Sequence, residues 1–270
     1  MAETGSVVEA GMAYANAGSF LFKEKNTDGG VRLLQMAVKV FQDVGKLDKA
    51  GKYEKLIAEK LDGTGADEDR KAAQAHYERA YDLFSTDDTY KIHAIGCLEK
   101  IGEIVSCRHD FKGAMKWWEK LIDACAGDSR LNQRMTKAMM NAFYCAITQL
   151  DSVFTAEKLD SWSQRNVRFA RSNGNTFCRD LNRAFEDRDY KALSTAFSKW
   201  DRYNKLEDWM VKCVKIVFDE IKPTTDDDAE SASSAGTAVA SAAVSAPAPP
   251  PDAAGVSSDD DEGDGDSSLL

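Results

Sequence analysis

Apolar positions recur every three to four residues through most of the first 222 positions. Val31, Leu33, Leu34, Ala37, Val38, Val40 and Phe41 form one such run; Leu131, Met135, Ala138, Met139, Ala142, Ala146 and Leu150 form another. That period gathers the apolar side chains on one face of an α-helix and leaves the other face to water. Turn-forming residues interrupt the runs at Thr27-Asp28-Gly29-Gly30, Gly45, Gly63-Thr64-Gly65, Asp87-Asp88, Arg108-His109-Asp110, Gly127-Asp128-Ser129 and Ser172-Asn173-Gly174-Asn175. About ten helices of roughly 15–20 residues fit between these breaks. Proline supports the same reading. All five prolines (Pro223, Pro247, Pro249, Pro250 and Pro251) lie at or beyond position 223, whereas strand-rich domains need proline and glycine turns at short intervals.

The helices repeat. Ala37 precedes Phe41, Ala73 precedes Tyr77 and Ala114 precedes Trp118, each by one helical turn, and the aromatic is followed by Gln42, Glu78 or Glu119. The aromatics stand 36 and 41 residues apart, the spacing of stacked helix hairpins. A small Ala lets neighbouring helices approach, and the aromatic one turn later fills the gap between hairpins.

Charge divides the chain in two. Residues 1–222 hold 35 basic and 34 acidic residues, net +1, while positions 223–270 hold eleven acidic residues and no Lys or Arg. A nearly neutral body with an acidic tail argues against nucleic-acid binding, which needs a basic surface. The segments Ser231–Pro251 and Ser257–Asp266 are built from Ser, Ala, Val, Gly, Pro and acid. Such composition buries too little apolar surface to offset chain entropy, so the tail from about 226 onward is expected to be disordered. No apolar run approaches the roughly 20 residues that span a bilayer, and Glu3 and Glu9 with no basic residue before them do not read as a signal peptide.

Catalytic and metal signatures are missing from the sequence. It contains no GxxxxGK[ST], GxSxG or GxGxxG motif. Its six cysteines (97, 107, 125, 145, 178 and 213) contain no CxxC pair, and His76, His93 and His109 show no metal spacing, so buried thiols in a reducing compartment are expected and no metal or cofactor is implied. Cys145 and His76 are the residue types of a nucleophile–base pair, but lone helix cysteines are ordinarily core thiols. The Asp-rich runs at 226–228 and 259–266 lack EF-hand geometry. A non-enzyme that holds partners is the reading of the residues.

The most specific segment is Trp200-Asp201-Arg202-Tyr203-Asn204-Lys205-Leu206-Glu207-Asp208-Trp209. It resembles the aromatic-Asp…basic-Leu-acid-x-Trp segment of the alpha-SNAP family of soluble NSF attachment proteins, which is likewise followed by a last amphipathic helix and an acidic end. Asp110 to Glu119 is similar to that family's QYxKAIxxYE hairpin start, and Ala73 to Glu78 to its AIAHYE. Ala17-Gly18 with Phe20, and Gly45 to Glu59, follow its pattern too. The resemblance covers about residues 12–228.

The resemblance implies an adaptor that coats the assembled SNARE four-helix bundle and recruits the hexameric ATPase NSF, which pulls the bundle apart. Its SNARE-facing basic positions match at Lys52, Lys100 and Lys137. On helical projection Lys52 opposes the Ala50/Tyr53/Ile57/Leu61 stripe, and Lys137 opposes Leu131/Met135/Ala138/Ala142/Ala146, so both should be solvated. A fourth family position falls at Gly96 and a fifth near Asn173, with Lys55 and Arg171 as nearby substitutes. For NSF binding, Glu186 and Asp187 match an acidic pair, with Arg183 where a third acid is expected. Asp226 and Asp227, with Asp228, match the terminal acid run, and Leu269-Leu270 stand for a terminal leucine that stimulates ATP hydrolysis. Ser257 and Ser258, each with acid three residues on, suit an acid-directed kinase.

The family's front helical region, with a Phe-rich loop that enters the membrane, has no counterpart in this alignment. Either weak peripheral membrane association or a sequence opening at an internal methionine is therefore expected. Phe20 and Phe22 are expected in the core. The fold expected is all-α: a tetratricopeptide-like (TPR-like) hairpin solenoid over 1–225 ending in a small helical bundle, with the acidic tail at 226–270. The protein is expected in the cytoplasm, recruited peripherally to membranes by SNARE and NSF partners. A TPR-like scaffold serving another protein complex is the alternative.

Overall fold

The structure, a computed structural model, describes residues 2–222, with side chains from position 6. These residues form twelve α-helices and two single 3-10 turns, and no strand occurs among them. The first four helices are α1 (Ala2–Lys23), α2 (Thr27–Asp43), α3 (Leu47–Asp62) and α4 (Asp67–Phe84). Next come α5 (Lys91–Cys107), α6 (Phe111–Cys125), α7 (Asn132–Ile147) and α8 (Ser152–Arg165). The chain ends in α9 (Val167–Ala170), α10 (Asn173–Glu186), α11 (Tyr190–Asp201) and α12 (Asp208–Ile221).

Through α8 each helix packs on the next, and side chains also reach the next helix but one, which sorts the rods into two layers. In the odd layer Tyr53 on α3 meets Met12 on α1, and Lys137 on α7 meets Glu103 on α5. In the even layer Lys120 on α6 covers the Tyr81 ring of α4, and Lys158 on α8 pairs with Glu119 on α6. This is the expected all-α hairpin solenoid. The C-terminal helices close it: α12 lies across α7 and α5, with the Trp209 ring edge-on to Tyr144 at 6.1 Å and Lys212 Nζ donating to His109 Nε2. Trp200 stacks on Phe177 with centroids 4.7 Å apart, which fixes the end of α11 against α10.

The repeated Ala–aromatic pairs form the seam between layers. Ala37, Phe41, Ala73, Tyr77, Ala114 and Trp118 are all buried. Glycine completes the fit on the opposing helix: a methyl group at Gly102 would lie 2.8 Å from the Trp118 ring. The ring can approach α5 because Gly102 has no side chain, and Trp118 Nε1 then donates to Ser106 Oγ at 3.1 Å. Glu54 and His76, each 5% exposed, form a buried polar node between α3 and α4, with Arg79 Nε 3.3 Å from both Glu54 oxygens.

Helix starts are set by short polar side chains. Asn26, Asp110, Asp151, Ser172 and Asp189 each accept a hydrogen bond from the backbone N–H three residues on, meeting one of the unpaired donors of a first turn. Three expectations change as a result. Gly29, Gly30 and Gly174 lie inside first turns, because the caps before them at Asn26 and Ser172 start the helices earlier. Four breaks turn on non-glycine residues in the left-handed region, Lys25 (φ 59°), His109 (φ 63°), Leu150 (φ 56°) and Arg188 (φ 53°), and a reading led by turn-forming composition misses the last two. The third change concerns Phe20, expected in the core but 60% exposed. Gly18 and Phe22, four residues apart, face Leu34 and Gly30 of α2, which turns Phe20 the opposite way. The tail expected from 226 lies outside the described residues.

Trp118→Ala should lower stability by about 3–5 kcal/mol, the cost of emptying a large buried site. Two glycines of α5 should respond oppositely to alanine. Gly102→Ala should lose about 1 kcal/mol, as crowding against Trp118 exceeds the gain in helix propensity. Gly96→Ala meets nothing within 4 Å and should gain about 1 kcal/mol. Denaturant midpoints of the three variants against the unaltered chain check all of this.

Candidate functional site

Lys52, Lys100 and Lys137 stand on α3, α5 and α7, three successive helices of the odd layer, and all three are exposed. Each belongs to a polar stripe produced by helical spacing. On α3 the stripe is Lys52, Lys55, Glu59 and Asp62; on α5 it is Gly96, Lys100, Glu103 and Cys107. Positions three, four and seven apart share a helix face, and the apolar residues between them turn inward to the core.

The structure brings Lys100 and Lys137 together. Lys100 Nζ lies 2.8 Å from Glu103 Oε2, and Lys137 Nζ lies 3.3 Å from Glu103 Oε1. One carboxylate therefore holds two lysines from two helices, one on each oxygen. Lys100 is raised above the ordinary lysine range, first by its hydrogen bond to Glu103 and further by the charges of Glu103, Asp62 and Glu207. Beside this clamp Arg134 of α7 pairs with Glu99 of α5 at 3.2 Å, and Lys55 pairs with Glu59 at 3.6 Å. Lys52 enters no ion pair among the described residues. The face is thus a mosaic in which most cations already have a carboxylate. Gly96 lies in the same stripe with open space around its Cα, so a side chain there would project without a clash. Arg171 is exposed just after α9, and Asn173 opens α10.

Glu186 and Asp187 are exposed at the C-terminal end of α10. They border different grooves. Asp187 lines one of about 530 Å³ between α10 and α11, with Asp189, Lys191 and Lys199 over an alanine floor. Glu186 lines another of about 340 Å³ between α8 and α10, with Arg179. Arg183 borders both. An exposed acid at a helix C-terminus faces the negative end of the helix dipole, which disfavours it. The next residue, Arg188, pairs with Glu220 of α12 at 3.1 Å. The chain therefore leaves α12 beside this acidic pair. Asp226, Asp227, Leu269 and Leu270 themselves lie outside the described residues.

Cys145 faces Ser106 Oγ at 4.0 Å, while His76 faces Glu54 and Arg79, so the nucleophile–base pair does not form. Burial pushes the Cys145 thiol up to about 12 and Cys125 to about 11, far from a reactive thiolate. Among the described residues no cluster of His, Cys, Asp or Glu is placed to hold a metal ion, and no helix is long and apolar enough to cross a membrane. The residue that sequence reasoning missed is Glu103. Its i,i+3 spacing from Lys100 is a legible signal, but its reach to Lys137 depends on how α5 and α7 align.

Residues 1–222, which take in the whole described region, match the family model of soluble NSF attachment proteins, so the likeness begins before position 12. The chain is similar to the alpha-soluble NSF attachment protein of Vitis vinifera, 23% identical over 79% of this chain and 72% of the relative. It is 21% identical to the alpha-soluble NSF attachment protein of Saccharomyces cerevisiae, over 83% and 76% of the two chains. With the Homo sapiens alpha-soluble NSF attachment protein it shares 22% identity over 75% and 67%. A match over the full helical body, on a fold of the expected hairpin type, means that the chain belongs to the soluble NSF attachment protein family.

Proposed function

We propose that this protein is a non-catalytic adaptor of vesicle fusion, binding assembled SNARE bundles with its odd-layer face and recruiting the ATPase NSF with its acidic end. Lys52, Lys100 and Lys137 are the SNARE-facing cations in this reading. Glu186 and Asp187, with Asp226, Asp227, Leu269 and Leu270, form the NSF-facing group. The single observation that carries it is the placement of three exposed lysines on three successive helices of one layer. A long helical bundle lying across α3, α5 and α7 would meet them in turn, and exposed charges of this kind set association rate and salt sensitivity. The protein works in the cytoplasm and reaches membranes through its partners.

Binding of the full chain to a purified SNARE bundle, followed by NSF recruitment, tests the reading. Salt-sensitive binding and recruitment are expected; a TPR-like scaffold for another complex would give neither. Substituting Lys52, Lys100 and Lys137 together by Ala should weaken bundle binding roughly ten-fold, since each exposed charge contributes about 0.2–1 kcal/mol. Gly96→Lys, which fills an open position on the same stripe, should strengthen it about two-fold. Glu186→Lys with Asp187→Lys should cut NSF recruitment and leave bundle binding intact. Deleting Leu269 and Leu270 should abolish stimulation of NSF ATP hydrolysis; unchanged stimulation removes the leucines from the proposal.

A further inference from the structure

We infer that Glu103 is an internal counter-ion that withholds Lys100 and Lys137 from acidic partners, so that only a surface presenting several carboxylates at once can engage this face. The inference rests on the functional reading above for the identity of the partner, but not for the geometry. Glu103 is the most enclosed member of the cluster: its side chain is 24% exposed, against 47% for Lys100 and 56% for Lys137. Each of its oxygens is committed to a different lysine. The two cations come from different helices, so one carboxylate neutralises a patch and not merely its own neighbour.

An incoming carboxylate must exchange against an existing pair before it gains anything, and it also approaches the like charge of Glu103. A lone acid therefore gains little. Two or more carboxylates arriving together can take both lysines in one exchange. Beside it a single pair also joins α7 to α5, Arg134 with Glu99, which extends the compensated area along both helices. Lys52, outside any such pair among the described residues, remains the cation available for first contact.

The test uses the full chain with two probes, polyglutamate and the assembled SNARE bundle, by titration calorimetry at low and physiological salt. Glu103→Gln should bind both about three-fold tighter and with a steeper salt dependence, as expected for freeing two exposed cations. In the background of Lys100→Ala with Lys137→Ala the gain should largely vanish, because there is nothing left to free. Equal affinities of the unaltered chain and Glu103→Gln for both probes overturn the inference. So does an undiminished gain in the double-alanine background, which would reflect net charge alone. Weaker bundle binding by Glu103→Gln also overturns it, since Glu103 would then touch the partner directly. A gain with polyglutamate while no variant binds the bundle upholds the role of Glu103 and overturns the functional reading instead. Titration of the lysine side-chain amines by NMR in the unaltered chain gives a reading independent of any variant. Lys100 should titrate above free lysine, and a value at or below free lysine counts against the clamp.

Discussion

The contact on which the rest of this structure depends is that of Trp118 with the bare backbone at Gly102. It sets how close α6 approaches α5, and the Ser106 hydroxyl fixes the ring's orientation by accepting from Nε1. Helices in a stacked array touch only their neighbours, so spacing errors are passed along and not averaged out. The next step along the stack is α7, whose Met135, Ala138, Met139 and Ala142 are buried in the same core. The register of α7 against α5, on which the Glu103 clamp relies, is therefore set through α6 as well as by direct contact. A buried aromatic inside the stack thus determines a charge arrangement on its surface.

That charge arrangement explains the near-neutral body better than its composition does. A net of +1 over 222 residues is compatible with separate acidic and basic patches. The structure shows mixing instead. On α3, α5 and α7, Lys55, Lys100, Arg134 and Lys137 are paired with Glu59, Glu99 or Glu103, while Lys49, Lys52, Lys60 and Lys91 enter no ion pair among the described residues. Each exposed pair is weak, so the arrangement adds little to stability. What it does is lower the outward field, since a paired lysine attracts a distant acid far less than a free one.

Much of this was legible in the sequence, for physical reasons that also mark its limit. Apolar periodicity and the Ala–aromatic repeat identify helices and their buried faces, because burial is the same requirement at every hairpin. Asn26, Asp110, Ser172 and Asp189 are cap-type residues, but turn composition alone set the breaks, so Thr27–Gly30 and the end of Ser172–Asn175 were drawn into turns that are the first turns of α2 and α10. Leu150 and Arg188 escaped notice because only the surrounding packing holds a side-chain-bearing residue at positive φ. Short α9 has four residues and no period to detect. Phe20 was misplaced because a residue's type does not say which way its helix is rotated. At the candidate site the exposure of Lys52 and Lys137 followed from projection. The joining of Lys100 to Lys137 through Glu103 did not, since projection treats each helix alone.

The acidic end differs from the lysine face in how its charge is held. Glu186 and Asp187 sit at the end of a helix whose dipole disfavours them, an unfavourable position worth about 0.3–1 kcal/mol each. Arg179, Arg183, Lys191 and Lys199 line the grooves around them, but among the described residues neither acid enters an ion pair, and Arg179 is held by Asp160. The ion pair from Arg188 to Glu220 brings the end of α12 to the same place. The chain beyond it adds eleven carboxylates and no cation. On the lysine face, by contrast, the field is muted by pairs already formed, so discrimination there falls to the exchange of short-range pairs between helices.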